Sequence, residues 1–116
     1  MPKRKLDPLP AAAFQILLSL AGEPLHGYGI MRLVEGQTGG RMRLGPGTLY
    51  SSIQALLEAE LIDEVASRKG ATPADERRRY YRLTPTGRKL ARSEAQRLAD
   101  TLRVARMRKL FEGDYV

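Results

Sequence analysis

The side chains of this sequence that could do chemistry are hydrogen-bonding groups and cations rather than nucleophiles or metal ligands. Its 116 residues include no cysteine and a single histidine, His26. Disulfides, thiolate metal sites and a cysteine nucleophile are therefore excluded, and one imidazole makes a zinc site or a Ser/His/Asp arrangement hard to assemble. We expect no metal, no cofactor and no catalytic residue, so the sequence disfavours a small enzyme.

Hydrogen-bonding side chains gather on one face of a predicted helix that begins after Gly45-Pro46-Gly47. At 100° per residue its apolar stripe consists of Leu49, Ile53, Leu56 and Leu57, and the opposite face is small and polar. Hydroxyls both donate and accept, and a glutamine amide can bind adenine N6 and N7 together. The candidate base contacts are Thr48, Ser51, Ser52 and Gln54. Ordinary helix-start preference is the alternative for the hydroxyls, and an exposed polar filler is the alternative for the amide.

Positive charge is a second indication of function, because the chain has 20 Lys and Arg but only 13 Asp and Glu, which gives a net charge of +7. Residues 3–5 contribute +3, residues 68–82 contribute +4 and residues 88–109 contribute +6, while the rest of the chain is acidic. Such a balance is the expected footprint of a polyanion, since Lys and Arg release counterions when they neutralise phosphates. The candidate phosphate contacts are Arg68, Lys69, Arg77, Arg78 and Arg79. A solvated basic surface is the alternative, and the charge of residues 88–109 has no assigned role.

Three helices and a hairpin must position these groups. The spacing of Phe14, Leu17, Leu18 and Ala21 predicts a first helix behind Pro8 and Pro10. A second helix opens near Gly27, closes before Gly39-Gly40 and has the apolar stripe Ile30, Leu33 and Val34. Residues 41–44 can form at most a brief strand before the third helix. Residues 61–66 and 79–83 predict a two-stranded hairpin with a long basic tip.

A last helix is predicted from Pro85 to about Phe111, with Thr84 as its N-cap. Its apolar positions are spaced 4, 3, 4 and 3, the pattern of a narrow seam between paired helices. The predicted dimer-interface residues are Ala91, Ala95, Leu98, Leu102 and Ala105. We expect this helix to pair with a second copy of the chain; the alternative is that it only closes its own domain.

The order of these elements is that of a winged helix-turn-helix, in which the third helix enters the major groove and the hairpin tip follows the DNA backbone. We therefore expect a mainly α fold with a small β-hairpin wing and a C-terminal dimerisation helix. The predicted organisation is a flexible basic arm over residues 1–9, a DNA-binding domain over 10–84, the dimerisation helix over 85–111 and a tail over 112–116.

Four sequence blocks strengthen this interpretation: PLHGYGI at 24–30, LGPGTLY at 44–50, LI at 61–62 and RRYYRLT at 78–84, the last followed by Gly87. In this order they resemble the PadR family of bacterial transcriptional regulators. The resemblance implies a homodimeric winged-helix protein that binds double-stranded operator DNA, usually as a repressor, with a single C-terminal helix forming the dimer. By position, Tyr28 and Tyr50 resemble residues near the DNA backbone, and Thr48 resembles one at the reading end. Core packing is the alternative for both tyrosines.

The sequence departs from the family where Gly45 replaces the usual Ser before Pro46 and Ser51 replaces the usual Pro after Tyr50. Ser51 changes the reading surface, so no family operator sequence is carried over. Some relatives bind aromatic drugs between paired tryptophans, and this chain has no Trp, so an effector stays unidentified. We expect His26 to cap the second helix or to order the loop before it, rather than to sense pH or to bind metal.

No apolar run is long enough to span a bilayer, since residues 11–22 are only 12 long and include Gln15 and Ser19. The basic start is followed by Asp7, Pro8 and Pro10 rather than by a secretory signal. The sequence thus predicts a cytoplasmic regulator without membrane contact. The competing hypothesis is a winged-helix module that docks on another protein and does not read DNA.

Overall fold

The structure is a computed structural model that describes residues 9–66, 72–73 and 78–112. Four helices pack around a small antiparallel sheet within these ranges, and this confirms the mainly α winged-helix fold. The elements are α1 (Ala11–Ser19), β1 (Leu25–His26), α2 (Gly27–Gln37), α3 (Pro46–Glu58), β2 (Ile62–Val65), β3 (Tyr80–Leu83) and α4 (Pro85–Met107).

The sheet has three strands rather than the two of a simple hairpin, with β3 between β1 and β2. Ile62 pairs with Leu83 on one side of β3, and His26 pairs with Tyr80 on the other. Residues 41–44, for which the sequence allows at most a brief strand, form a loop after α2. Thr38 holds the loop, since its hydroxyl oxygen accepts the backbone N–H of Met42 at 3.0 Å. The additional strand instead precedes α2.

The core lies between α1, α2, α3 and the sheet. Its largest fully buried side chains are Ile16, Leu17, Ile30, Val34, Leu49, Leu56 and Ile62. The apolar stripe predicted for α3 is confirmed at Leu49, Ile53 and Leu56, and Leu57 is half-buried.

Helix α1 is confirmed; of its predicted stripe, Leu17 is buried in the core, Phe14 is half-buried against it, and Leu18 and Ala21 are exposed. Ala13, Ile16 and Leu20 reach the core, whereas Leu18 is 42% exposed. The helix has two apolar faces, and the face with Phe14 and Leu18 is turned towards α4, where both residues line a groove together with Ala91. Leu33, assigned to the apolar stripe of α2, is likewise 45% exposed.

Three helix starts follow the predicted chemistry. His26 caps α2, because its Nδ1 accepts the backbone N–H of Gly29 at 3.1 Å. Thr84 caps α4, since its hydroxyl accepts the N–H of Gly87 at 2.9 Å and donates to the carbonyl oxygen of Glu60 at 2.7 Å. At α3, Gly45 is the N-cap without a side-chain bond, and Pro46 occupies the first turn.

Helix α4 ends at Met107, before the predicted end at Phe111. Lys109 adopts a φ of 63°, and the N–H of Leu110 donates to the carbonyl of Ala105 at 2.9 Å, which closes the helix. Neither glycine nor proline marks this end in the sequence. Among the described residues, no helix is long and apolar enough to cross a membrane, and no cluster of His, Cys, Asp and Glu could hold a metal ion.

Candidate nucleic-acid interface

Helix α3 presents its polar face to solvent. Thr48, Ser51 and Gln54 are exposed, and Ser52 is half-buried. Two local bonds hold this face, since Ser51 Oγ donates to the carbonyl of Thr48 at 3.1 Å and Gln54 Nε2 donates to Glu58 Oε1 at 3.2 Å. At Gly47, in the first turn, no atom beyond its chain neighbours and the backbone of α3 itself lies within 4 Å of the place where a Cβ would lie. The N-terminal half of α3 is therefore accessible to a large partner.

A concave site of about 440 Å³, which we call the wing notch, lies beside this face. It joins the start of α2, the first turns of α3 and the start of β3. Its lining residues are His26, Gly27, Tyr28, Tyr50, Arg78, Arg79 and Tyr81. The structure thus brings together four of the predicted site residues, two tyrosines and two arginines, from segments far apart in the sequence.

Both predicted tyrosines point away from the core. Tyr28 is 54% exposed and Tyr50 is 56% exposed, so core packing does not explain them. A Cβ on Gly27 would lie 3.0 Å from the Tyr50 hydroxyl oxygen, which shows how closely that phenol approaches the start of α2. Tyr81 is the buried tyrosine of the notch, and burial raises the pKa of its hydroxyl. The two exposed phenols are therefore the ones available to an external acceptor.

His26 connects the start of α2 to the wing. Arg78 Nη1 lies 3.1 Å from His26 Nε2, and Tyr80 packs edge-on against the imidazole with ring centroids 5.3 Å apart. Because Nδ1 accepts from Gly29, a neutral ring carries its hydrogen on Nε2. Arginine only donates, so in that tautomer the Arg78 approach is a close contact rather than a hydrogen bond. A neutral imidazole has one unprotonated nitrogen, so it can accept from Gly29 at Nδ1 or from Arg78 at Nε2, but not from both.

Two wing arginines form exposed ion pairs across the hairpin. Arg79 Nε lies 3.8 Å from Glu64 Oε1, and Arg82 Nε lies 2.9 Å from Asp63 Oδ1. Exposed pairs of this kind contribute only about 0–1 kcal/mol, so an external anion can replace the carboxylate at little cost. The predicted contacts Arg68, Lys69 and Arg77 lie outside the described residues.

A second concave site of about 570 Å³ adjoins the first and was missed by the sequence reasoning. We call it the helix notch; it is lined by Tyr28, Arg32, Glu35 and Arg43 with Met31, Gly36 and Leu44. Arg32 Nη1 donates to the Tyr28 hydroxyl at 3.2 Å, a bond that raises the pKa of Arg32. Arg43 Nε lies 3.0 Å from Glu35 Oε1. The i, i+4 spacing of Tyr28 and Arg32 could have indicated their contact, whereas no sequence signal links Glu35 to Arg43.

The predicted dimer seam on α4 is accessible in the single chain. Ala95 and Leu98 are exposed, the latter by 42%, while Ala91, Leu102 and Ala105 are half-buried. Apolar exposure continues past the seam, since Val104, Met107 and Leu110 are 53%, 76% and 83% exposed. The structure places the five seam residues along one helix but contains no second copy.

Glu94 is the unexpected buried residue of α4. Its two carboxylate oxygens accept from Arg97 Nε at 2.8 Å and from Nη2 at 2.6 Å. This bidentate bond outweighs the effect of burial and lowers the pKa of Glu94. The i, i+3 spacing is visible in the sequence, but the burial of a carboxylate is not.

The chain is similar to known proteins in sequence and in fold. Residues 16–93 match the model of the transcriptional regulator PadR-like family. A protein of transposon TN4556 from Streptomyces fradiae is 41% identical over 88 residues, which cover 76% of this chain and 23% of that protein. The chain therefore spans about a quarter of the length of this curated relative.

Solved structures show the same fold. A PadR family transcription regulator from Clostridium difficile R20291 superposes with a TM-score of 0.71 at 21% identity, over 84% of this chain and 97% of that one. Bacillus subtilis PadR, solved in complex with operator DNA, gives a TM-score of 0.60 at 21% identity, over 74% and 47% of the two chains.

Proposed function

The chain belongs to the PadR-like family of transcriptional regulators, and on this premise we propose that it is a repressor that binds a pseudo-palindromic operator as a homodimer. The observation that carries the proposal is the wing notch. Two exposed phenols and two arginines converge beside the accessible polar face of α3. This combination provides groups for the DNA backbone and groups for base edges at adjacent positions.

In the proposed complex the wing notch binds the sugar-phosphate backbone. The hydroxyls of Tyr28 and Tyr50 donate to phosphate oxygens, and Arg78 and Arg79 supply charge. Arg68, Lys69 and Arg77, which lie outside the described residues, stay predicted phosphate contacts. These contacts fix the position of the protein on the duplex without reading its sequence.

Sequence is read by α3 in the major groove. Thr48 and Ser51 lie in the first turns, where a recognition helix approaches base edges, and Ser52 follows them. Gln54 is placed one turn further along and can pair with adenine N6 and N7. Its bond to Glu58 must open first, and this costs little because the amide is solvent-exposed.

The second copy pairs through α4. The seam, in which Ala95 and Leu98 are exposed, is followed by further exposed apolar side chains at and just beyond the C-terminal end of the helix, Met107 and Leu110. A dimer of this kind presents two α3 helices about 34 Å apart, one turn of DNA, which is the spacing of a pseudo-palindromic site.

The test is selection of bound duplexes from a random pool, followed by fluorescence anisotropy titrations in increasing salt. We expect one enriched inverted repeat, and affinity that falls with salt at a slope of about −0.9 per phosphate neutralised. No enrichment, with binding that ignores both sequence and salt, would reject the proposal. Absence of any DNA binding together with co-purification of a protein partner would favour a protein-docking module instead.

A further inference from the structure

The helix notch is a second basic site on the same face, and neither of its arginines belongs to the predicted DNA contacts. We propose that the helix notch binds a second backbone phosphate, and that Glu35 occupies the phosphate position in the unbound protein and so limits affinity for DNA of any sequence. This inference rests on the proposed function, since it assigns further residues to the same DNA-binding face.

Tyr28 connects the two notches. Tyr28 lines both notches, so the two concave sites adjoin one another at this exposed residue. A DNA strand carries a phosphate at every nucleotide, so neighbouring sites can bind neighbouring phosphates. A strand that binds in the wing notch beside Tyr28 is therefore led past this residue towards Arg32 and Arg43.

The two arginines of the helix notch are held by different partners. Arg32 is held by its bond to the Tyr28 hydroxyl, and its guanidinium carbon lies 5.8 Å from the centre of that ring. Arg43 binds the Glu35 carboxylate through Nε. A guanidinium fork donates to carboxylate and phosphate oxygens in the same geometry, so Glu35 is a direct competitor for a phosphate at Arg43.

The exposure of the Arg43–Glu35 pair determines how easily a phosphate displaces the carboxylate. The Arg43 and Glu35 side chains are 79% and 47% exposed, so water already screens their attraction and the pair opens easily. A phosphate that displaces the carboxylate leaves Glu35 next to bound DNA, where the two negative charges repel. The notch thus binds phosphate, but more weakly than its two arginines alone would.

The experiment measures binding of wild type, Glu35→Gln and Arg43→Gln to a selected operator duplex and to a random duplex of about three helical turns. We expect Glu35→Gln to raise affinity for both duplexes by about three- to tenfold, with their ratio unchanged. Arg43→Gln lowers both affinities by a similar factor and makes the salt slope shallower by about 0.9. In the Arg43→Gln background, Glu35→Gln gives a smaller gain, because the competition has been removed.

Matched controls are Asp100→Asn and Arg103→Gln, which remove the same charges from an exposed pair of α4, with a 3.1 Å contact, outside the predicted seam. Circular dichroism confirms that all variants fold. If Glu35→Gln and Asp100→Asn change affinity equally, or neither changes it, the inference is overturned while the proposed function stands. If wild-type protein binds neither duplex, the proposed function itself fails.

Discussion

Gly87 packs directly on the backbone of Leu61. A Cβ at Gly87 would lie 2.8 Å from the carbonyl carbon of Leu61, closer than side chains come to backbone, and nearer still to its oxygen. The same carbonyl accepts the N–H of Thr84 at 3.1 Å. The glycine that follows the RRYYRLT block is therefore required by the junction between the sheet and α4, not by turn geometry.

The first prediction concerns this junction. Gly87→Ala forces the start of α4 away from Leu61, so we expect a loss of at least about 1–3 kcal/mol in the free energy of unfolding. Gly36→Ala is the control, because its Cβ meets nothing within 4 Å. That helix substitution should be neutral or stabilising by up to about 1 kcal/mol. Urea denaturation measures both, and equal stability of the two variants would contradict the packing argument.

The second prediction concerns the cap of α2. His26→Ala removes the acceptor for the Gly29 N–H and should cost about 0.5–2 kcal/mol of unfolding free energy. Asn is a good N-cap with an oxygen at a similar reach, so His26→Asn should recover most of the loss. The urea midpoints of the three proteins test this, and an Asn variant as unstable as the Ala variant would show that ring packing on Tyr80, rather than the cap, is what matters.

The third prediction separates the two kinds of DNA contact. Arg78→Ala should lower affinity for all duplexes alike, because a phosphate contact carries no sequence information. Gln54→Ala should instead reduce discrimination at one base pair by about 1–3 kcal/mol. Anisotropy titrations on the operator and on its single-base variants measure both effects. Equal losses on operator and random DNA for both variants would remove Gln54 from the reading residues.

Local signals predicted most of the elements and both capped helix starts. Thr84-Pro85 and Gly45-Pro46 mark helix starts by their own backbone chemistry, so no tertiary information was needed. Strand β1 was missed because Leu25 and His26 are too few to show alternation, and their partners Tyr80 and Tyr81 lie more than fifty residues away. A local sequence pattern contains no information on a strand pairing between residues that far apart.

The residue types of the candidate site could be predicted from the sequence, but the positions of these residues relative to one another could not. Tyr28 and Tyr50 were named from sequence blocks and Arg78 from the charge of the hairpin tip, but their convergence in one notch follows from packing. The sequence could not show that Leu18 lies outside the core, because Leu18 is as apolar as Ile16. Which face meets the core is decided by α2 and α3, while the other face meets α4.

The fourth prediction tests the dimer. Leu98→Glu places a charge in the seam, where burial without a partner is unfavourable, so we expect monomers. Ser93→Glu adds the same charge on an exposed position of α4 outside the seam and should leave the dimer intact. Sedimentation equilibrium reads out the mass of each variant. A monomeric wild-type protein would remove the dimer from the proposed function.

The fifth prediction concerns pH. The bond to Arg97 lowers the pKa of Glu94 in the folded chain, so its contribution to stability is complete above the ordinary carboxyl pKa of about 4.3 and is lost as pH falls through the lowered value. Glu94→Gln should therefore reduce Tm at pH 7, and the difference should shrink in acid. Asp100→Asn, in an exposed pair, should change Tm little at either pH. A Tm difference for Glu94→Gln that is constant from neutral to acid pH would contradict the assignment.

The close contact of Gly87 with Leu61 also gives α4 the properties of a lever. A helix of 23 residues is about 34 Å long, so a tilt of about 10° at its first turn displaces the far end by roughly 6 Å. Thr84 and Gly87 restrain that tilt by direct contacts with backbone. In the proposed dimer, the distance between the two reading helices is then set mainly at this joint. Substitutions there would change which half-site spacing the protein accepts without touching a base contact.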